Sequence, residues 1–521
     1  MFTENKPTRI PWLALCAITF VIAFWGFMTP LFEFPDEQVH LSTVTYVSDH
    51  AIVPPKGVLD LTNEMYRTEE LLGTLRNDQG NNKYTYHPEY HVPYTNTMIG
   101  QYENEIKSLN TNSDRHTYVK EEGARYPIAY YAYSSFWLKL VNNADFIMRL
   151  YVARLGSLPL AFFMAYFVYK IGLLIFGKRK TAITLVILTM LQPMYSFVTA
   201  GINSDNLHNL LFFMVIYYSL IVIKRGLSWL PVSALFIVSG LDIATKPQGF
   251  ITIPLITIAL GMSMIRRRQW KAVGLGCLLA LVLVSLSSRI WLGYVNFSNP
   301  RGASPSAFLQ FSINKLVSQN IVWYWGVFKW LGVVLPPIYW RVANRVVLAS
   351  GLGLVFYGLR IWRKKKVVAD PYAILFILVA SLVYAFAIYW ADWQYHKNEG
   401  YSLGIQARYF FPTLVAHMSL LLTGILSFGW NRISRLWLRI SLVGLFLWLQ
   451  IGGLWRLITS YYTVSSFGQF VIQVSQYKPF YVKGNWWYLW ITLYLLSLTY
   501  LLGYVLIRRQ VDATRRERLV K

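Results

Sequence analysis

The sequence predicts an all-α, polytopic integral membrane protein, and three observations carry this prediction. Of its 521 residues, 55% are hydrophobic and 17% aromatic, whereas only 14% are charged, well below the roughly 25% that is usual in soluble domains. Apolar runs of about 20 residues, long enough to cross a bilayer, recur along the whole chain. Between these runs the positive charges fall in short clusters, which is typical of cytoplasmic turns.

The formal net charge of +25 is explained by membrane topology. In a soluble chain it would indicate nucleic-acid binding, but here Lys and Arg lie in the turns, where they set orientation and contact anionic lipid headgroups. We therefore expect a lipid bilayer, and no nucleic acid, as a partner. The two cysteines, Cys16 and Cys277, both lie in apolar runs, which argues against a disulfide framework or a cysteine metal site.

The chain divides into about twelve predicted spans, and the basic clusters place both termini on the cytoplasmic side. The short pair at 229–243 and 250–265 is interpreted as an outward-facing hairpin, with a re-entrant arrangement as the alternative. The predicted spans are 10–32, 150–176, 181–200, a run ending at 224, 229–243, 250–265, 272–294, a run ending at 363, 372–390, a run ending at 432, 437–458 and a run ending at 508.

Residues 1–521 are treated as one transmembrane domain with four outer loops. The first loop is by far the longest, and its last part, 126–140, is amphipathic and aromatic, which is typical of a helix in the headgroup layer. The chain shows no internal repeat, which disfavours inverted-repeat transporter folds. The predicted outer loops are 33–143, 295–340, 391–409 and 459–487.

An acidic stretch directly follows the first span, with Asp36 and Glu37 beside Pro35. Pro35 suits the first position of a helix, which would place both acids in the first turn, where the positive helix end favours anions. At helical spacing Asp36 and His40 share one face, whereas Glu37 points about 100° away. The two acids are therefore expected to have different roles, with plain helix capping as the alternative for both.

The span centres hold almost no acids, and the ionisable residues of the motifs fall on the predicted outer face, namely Asp36, Glu37, Asp205, Lys246 and Arg408. Transporters and proton relays place such residues near the midplane, whereas an enzyme acting on an amphiphile needs them at one interface. The pattern therefore indicates an outward-facing, interfacial site. Three of these residues also have a structural alternative to a role in the site. For Asp205 it is helix capping, for Lys246 it is a snorkelling side chain that anchors the helix, and for Arg408 it is an interfacial ion pair.

No metal-ligand motif stands out in the sequence. His40 has no second histidine at ligand spacing, and His87 and His91 are separated by Pro88, which predicts an irregular loop and disfavours a metal pair. The Trp- and Tyr-rich outer loops are expected to form an interfacial belt with some sugar stacking.

Five stretches resemble motifs of the bacterial membrane-protein family labelled domain of unknown function 2142, in the family's order and over most of the chain. This sequence departs from the motifs at Phe34, Ser204, Lys329 and Ala407, none of which removes a titratable group. The matches are 35–40 to Pro-Pro-Asp-Glu-x-x-His, 203–207 to Asn-Pro-Asp-x-Leu, 245–247 to Thr-Lys-Pro, 325–331 to Trp-Gly-x-Phe-Gly-Trp-Leu, and 406–409 to Gln-Gly-Arg-Tyr.

That family is similar to the GT-C glycosyltransferases, polytopic enzymes that take a sugar from a polyprenyl-phosphate carrier on the outer membrane face. The resemblance implies an inverting transfer to a cell-envelope glycan outside the bacterial cytoplasmic membrane. It implies Asp36 as the catalytic base, and Glu37 as its support, as a group on sugar hydroxyls or as a ligand of a divalent cation. The implied substrate and donor-phosphate residues are Lys246, Arg408, Asp205, His40 and Gln406.

Two other functions are compatible with an outward-facing site. A transporter or flippase of lipid-linked saccharides would move its substrate without breaking a bond. A polymerase or ligase would join whole lipid-linked glycans in place of single sugars.

Overall fold

The computed structural model describes residues 10–76, 93–94, 98–109, 112–123, 127–268, 305–402 and 404–506. These parts are helical apart from two short antiparallel ribbons, in which β1 (Leu61–Thr62) pairs with β2 (Tyr118–Lys120) and β3 (Val327–Phe328) pairs with β4 (Val333–Val334). The described α-helices of five or more residues are α1 (Trp12–Met28), α2 (Glu37–His50), α3 (Asn63–Leu72), α4 (Ile99–Ser108), α5 (Asn112–His116), α6 (Ala129–Leu140), α7 (Phe146–Leu155), α8 (Ser157–Phe176), α9 (Arg179–Met190), α10 (Pro193–Ala200), α11 (Asp205–Arg225), α12 (Trp229–Ile243), α13 (Thr252–Arg266), α14 (Pro305–Lys315), α15 (Pro337–Trp362), α16 (Pro371–Glu399), α17 (Leu414–Ser427), α18 (Arg432–Tyr461), α19 (Phe467–Val474) and α20 (Trp486–Leu506). Other helical turns are Pro247–Ile251, Leu316–Asn320, Ile321–Trp323, Ala407–Thr413 and Phe480–Val482.

In the described residues, eight helical stretches are long and apolar enough to cross a membrane. The bent pair α9 and α10 makes up to nine, and α1 and α12 are shorter apolar helices at the first and fifth predicted spans. The seventh predicted span, 272–294, lies outside the described residues. Every other predicted span coincides with an apolar helix, and the prediction of an all-α polytopic membrane protein is confirmed.

Local sequence sets where several helices begin and bend. The Asp145 side chain accepts from the Met148 N–H to begin α7, and Asp370 does the same for Ala373 in α16, which satisfies donors that a helix start leaves open. Pro193 opens α10, and the chain turns by 68° between α9 and α10. A proline cannot continue the hydrogen-bond ladder of the preceding helix, which explains a sharp break at this position.

The stretch 33–143 is a packed helical segment where it is described, built on the β1–β2 ribbon. Helix α2 packs along α6. In α6 the side chains of Tyr130, Tyr131 and Leu138 are buried, whereas Phe136 and Leu140 are exposed. The predicted amphipathic helix is therefore present, with its polar-aromatic face turned onto α2.

The basic clusters gather at the ends of the long helices away from the acidic stretch. Helix α8 ends just before Lys178, and α18 begins at Arg432. Burial lowers the pKa of Lys178, and the neighbouring guanidinium groups of Arg435 and Arg439 lower it further. Clusters from different turns thus share one end of the bundle, as the positive-inside pattern predicts for a common face.

Helices α15 and α17 approach each other at paired glycines. A methyl group on Gly353 would overlap the carbonyl oxygen of Gly424, and one on Gly424 would overlap Ser350. The Ser350 hydroxyl also donates to the Leu421 carbonyl at 3.1 Å. Small residues at helix contacts let backbones pack closely inside a membrane, and this contact holds α17 against α15.

Replacing Gly353 by Ala should destabilise the protein by about 1–3 kcal/mol, because the added methyl group has no room between the two backbones. Thermal unfolding in detergent measures the effect. Gly358 lies on the same helix with open space around it, so Gly358→Ala is the matched control and should leave the unfolding temperature unchanged or raised. Equal effects of the two substitutions would contradict the close α15–α17 contact.

Candidate functional site

Four charged residues predicted for the site converge where several helices begin or end. Asp36 precedes α2, Asp205 begins α11, Lys246 follows α12, and Arg408 lies in the 3-10 turn Ala407–Thr413. Arg408 Nη2 donates to Asp36 Oδ2, and Lys246 Nζ donates to Asp205 Oδ1. These two ion pairs join four distant parts of the sequence.

Tyr409 brings the two ion pairs together. Its ring centroid lies 5.5 Å from Arg408 Cζ and 5.7 Å from Lys246 Nζ, within the range of cation–π attraction for both groups. Arg408 also acts electrostatically on Asp205. We therefore treat Asp36, Arg408, Lys246 and Asp205 as one cluster, which we name the paired-charge cluster.

The backbone at Asp36 differs from the expectation for the acidic stretch. Helix α2 begins at Glu37, so Pro35 is not the first helical residue, and Asp36 stands at the N-cap position with φ 58° and ψ 21°. Its side chain makes no capping hydrogen bond and turns to Arg408 instead. The capping alternative is therefore wrong for this carboxylate. A non-glycine residue in the left-handed region is strained, and such residues cluster at functional sites.

Asp36 is the accessible member of the paired-charge cluster. Its side chain is 33% exposed, whereas that of Arg408 is 3% exposed. Burial acts to raise the pKa of Asp36, but the adjacent Arg408 guanidinium outweighs it and holds the pKa well below its usual value. The carboxylate is therefore ionised at neutral pH, open on one side and fixed on the other.

His40 lies one helical turn after Asp36, on the side predicted from the sequence. It is buried, and its Nδ1 lies 3.0 Å from the Tyr131 hydroxyl of α6. Burial lowers the pKa of His40 to about 4, against the raising effect of Asp36. The neutral ring present at pH 7 has one donor and one acceptor nitrogen, so it can hold a hydroxyl group without adding charge to the cluster.

Arg408 has unused hydrogen-bonding capacity. Among the described residues, nothing accepts from its buried Nε and Nη1 atoms, and the buried Oε1 atoms of Gln406 and Gln248 likewise have no partner. Buried polar groups without a partner cost about 1–3 kcal/mol each and call for an explanation, such as a ligand. A guanidinium with two free N–H groups is suited to an oxyanion.

Two polar pairs join α11 to α12 and the residues that follow it, and the Asp205–Lys246 ion pair is one of them. The His208 Nδ1 and Asp242 Oδ1 atoms lie 2.6 Å apart, one turn after Asp205 in α11 and about one turn before Lys246 in the chain, and His208 Nε2 lies 3.3 Å from the Tyr384 hydroxyl. Lys246 is buried in an ion pair, so the snorkelling alternative is wrong. The Asp205 carboxylate pairs with Lys246. The side chain that accepts a backbone N–H at the start of α11 is that of Asn203, whose Oδ1 accepts from the Asp205 N–H.

Glu37, expected in the catalytic centre, does not join the cluster. Its two carboxylate oxygens accept from Arg154 Nε and Nη2, each at 2.7 Å, and the side chain is fully buried. Arg154 also donates to the Thr29 carbonyl at 2.8 Å and to the Pro30 carbonyl at 2.5 Å. Asp36 and Glu37 therefore have different partners, as their helical spacing predicts. Glu37 stabilises the chain segment that leads to Asp36.

The aromatic loop motif at 325–331 supports the same chain segment. Trp330 Nε1 donates to the Phe32 carbonyl at 2.9 Å, and Phe328 packs in the core against Trp25 with ring centroids 5.5 Å apart. Trp325 and Phe328 are buried, which contradicts an interfacial belt for these two rings.

In the part of the chain that the structure describes, no group of three or more His, Cys, Asp or Glu side chains is arranged to hold a metal ion. His87 and His91 lie outside the described residues. The carboxylate of Glu37, considered for a divalent cation, is fully buried and pairs with Arg154 through both oxygens, so its charge is already balanced.

Arg154, Tyr409, His208 and Asp242 were missed by sequence reasoning. A signal existed for Arg154 and for His208 with Asp242, because ionisable residues inside or beside apolar segments are costly and usually have a partner. Their partners lie more than 30 positions away along the chain, and no spacing rule connects such residues.

Replacing Glu37 by Gln should destabilise the protein by about 3–5 kcal/mol, because it leaves the buried Arg154 without its counter-charge. The unfolding temperature in detergent is the measurement. Glu70→Gln is the matched control, since the Arg67–Glu70 pair is 43% and 35% exposed and such pairs contribute about 0–1 kcal/mol. A Glu37→Gln protein as stable as the control would contradict this role.

The family comparison matches the region that holds this site. The family model described as "Predicted membrane protein (DUF2142)" matches residues 19–416, well over half of the chain and all the charged residues of the cluster. No curated protein matches the sequence. The chain is therefore a member of the DUF2142 family of predicted membrane proteins.

Proposed function

We propose that the protein is a membrane glycosyltransferase that moves a sugar from a polyprenyl-phosphate donor to a cell-envelope glycan. The Asp36–Arg408 pair carries the proposal. It sets a partly exposed, ionised carboxylate beside a guanidinium with two buried N–H groups that lack a partner among the described residues. A proton acceptor next to oxyanion-binding donors is what sugar transfer from a phosphate leaving group requires.

In the proposed reaction the acceptor hydroxyl oxygen attacks the anomeric carbon of the donor. The bond from that carbon to the phosphate oxygen breaks, the phosphate leaves with the electron pair, and the hydroxyl proton passes to Asp36. Phosphate needs no protonating acid as it leaves, so one carboxylate suffices, in contrast to glycoside hydrolysis. A single displacement of this kind inverts the configuration at the anomeric carbon.

Arg408 links donor binding to the basicity of Asp36. While the pair is intact, Arg408 holds the pKa of Asp36 low, which makes the carboxylate a weak base. A donor phosphate bound to Nε or to Nη1, each of which forms a fork with Nη2, competes for the positive charge, and a carboxylate that loses its ion pair becomes more basic. Asp36 would then be a competent base only when donor is present.

Lys246 supplies a second positive charge for the phosphate, and Asp205 positions it through their ion pair. His40, neutral at pH 7 by virtue of its lowered pKa, is assigned to a sugar hydroxyl, as is Gln406. Glu37 has no catalytic role in this proposal.

The proposed outward orientation rests on the separation of charge along the bundle. Basic residues such as Lys178, Arg435 and Arg439 lie together at one end, and the acidic stretch follows the opposite end of α1. Basic clusters mark the cytoplasmic side of membrane proteins, so the paired-charge cluster would face outward, where lipid-linked sugars and envelope glycans meet.

Replacing Asp36 by Asn should lower transfer by about 10²–10⁴-fold, the usual contribution of a general base. The assay incubates purified protein in nanodiscs with radiolabelled polyprenyl-phosphate monosaccharides and an envelope glycan fraction, and measures release of polyprenyl phosphate. Asp114→Asn, in the same outer segment but outside the cluster, is the control and should keep full activity.

The same assay separates the other functions. An Asp36→Asn protein that folds normally and keeps full activity would overturn the base assignment. Movement of an intact lipid-linked sugar across reconstituted vesicles, with no donor cleaved, would identify a flippase. Cleavage of lipid-linked oligosaccharides but not of single-sugar donors would identify a polymerase or ligase.

A further inference from the structure

A polar cavity lies at the far end of α2 from Asp36. Its volume is about 560 Å³, and it is open to one side. Each residue that lines it carries a polar side-chain atom, and none belongs to the paired-charge cluster. The main lining residues are Asp49, His50, His116, Tyr118, Lys139 and Asn142.

The carboxylate in this cavity is held in place before any ligand arrives. Asp49 Oδ1 accepts from Arg115 Nη2 at 3.3 Å, and Oδ2 accepts from the Tyr118 hydroxyl at 2.8 Å. Arg115 is buried and also donates to the Asn142 carbonyl at 3.0 Å. His116 Nδ1 also lies 3.4 Å from Asp49 Oδ2. Groups fixed in this way lose little entropy on binding a ligand, and Oδ1 retains further acceptor capacity.

Aromatic rings form one wall of the cavity. The His50 ring stacks on Tyr46 with centroids 4.2 Å apart and an interplanar angle of 15°. Tyr118 meets His50 edge-on, with centroids 5.6 Å apart. Flat ring faces beside a fixed carboxylate, an amide and an ammonium group suit a molecule with apolar C–H faces and many hydroxyl groups.

We infer that this cavity binds the acceptor glycan away from the transfer centre. The inference rests on the proposed function and extends it by giving the acceptor a second point of attachment. Helix α2 runs from Glu37 to His50, so the cavity lies about 20 Å from Asp36 at 1.5 Å per residue.

The charges in the cavity favour a glycan over an anionic lipid headgroup. Lys139 would attract a phosphate, but the Asp49 carboxylate faces the same cavity with Arg115 and His116 beside it, so the cavity presents groups of both signs. A sugar hydroxyl, in contrast, can donate to the carboxylate and accept from the ammonium group.

The test measures binding of a panel of neutral and carboxylated oligosaccharides to full-length protein in phosphatidylcholine nanodiscs. The protein carries Asp36→Asn, so that binding is read without turnover. His50→Ala or Lys139→Ala is then added. Both side chains are exposed, and unfolding temperature verifies that the variants fold. Lys56→Ala, exposed and outside the cavity, is the matched control.

At least one oligosaccharide should bind, at least about tenfold more weakly after His50→Ala or Lys139→Ala and equally well after Lys56→Ala. Lack of binding to the whole panel, or equal binding by all variants, would overturn the inference. So would cavity variants that change only the retention of anionic lipid. Glycan binding in this test, together with no cleavage of any donor by the protein that retains Asp36, would uphold the cavity and overturn the transferase alone.

Discussion

Arg154 is the residue on which the geometry of the site depends. Its guanidinium donates to both oxygens of Glu37 and to the carbonyls of Gly26, Thr29 and Pro30, so it closes the turn between α1 and α2. Lys478 donates to the same Thr29 carbonyl at 3.0 Å. A buried charge is costly unless it is paired and hydrogen-bonded, as Arg154 is. Because this turn is over-determined, the strained backbone conformation of Asp36 at its end can persist.

The two buried arginines differ in a way that separates support from site. Arg154 has an acceptor for each of its three guanidinium nitrogens, whereas Arg408 has Asp36 for Nη2 and, in the described part of the chain, nothing for Nε and Nη1. The first arrangement has no capacity left for a ligand, and the second has the donors that an oxyanion needs. The proposal of a donor-phosphate site rests on this contrast more than on the number of charges present.

The sequence was sufficient for the membrane fold and for the members of the cluster, because apolar length and the Lys/Arg pattern follow directly from bilayer physics. It also gave different roles to Asp36 and Glu37 from helical spacing alone. It did not give the ion pairs, since Asp36 and Arg408 are separated by 372 positions. It misplaced Trp325 and Phe328 because an aromatic residue looks the same in a belt and in a core until its neighbours are known.

The most direct test of the account is an experimental structure of the protein with a polyprenyl phosphate bound in nanodiscs, determined by cryo-electron microscopy. The account predicts a phosphate oxygen within about 3 Å of Nε or Nη1 of Arg408, with Lys246 beside it and the Asp36 carboxylate facing the open side. A phosphate bound at the basic end of the bundle, with Arg408 still paired only with Asp36, would contradict it.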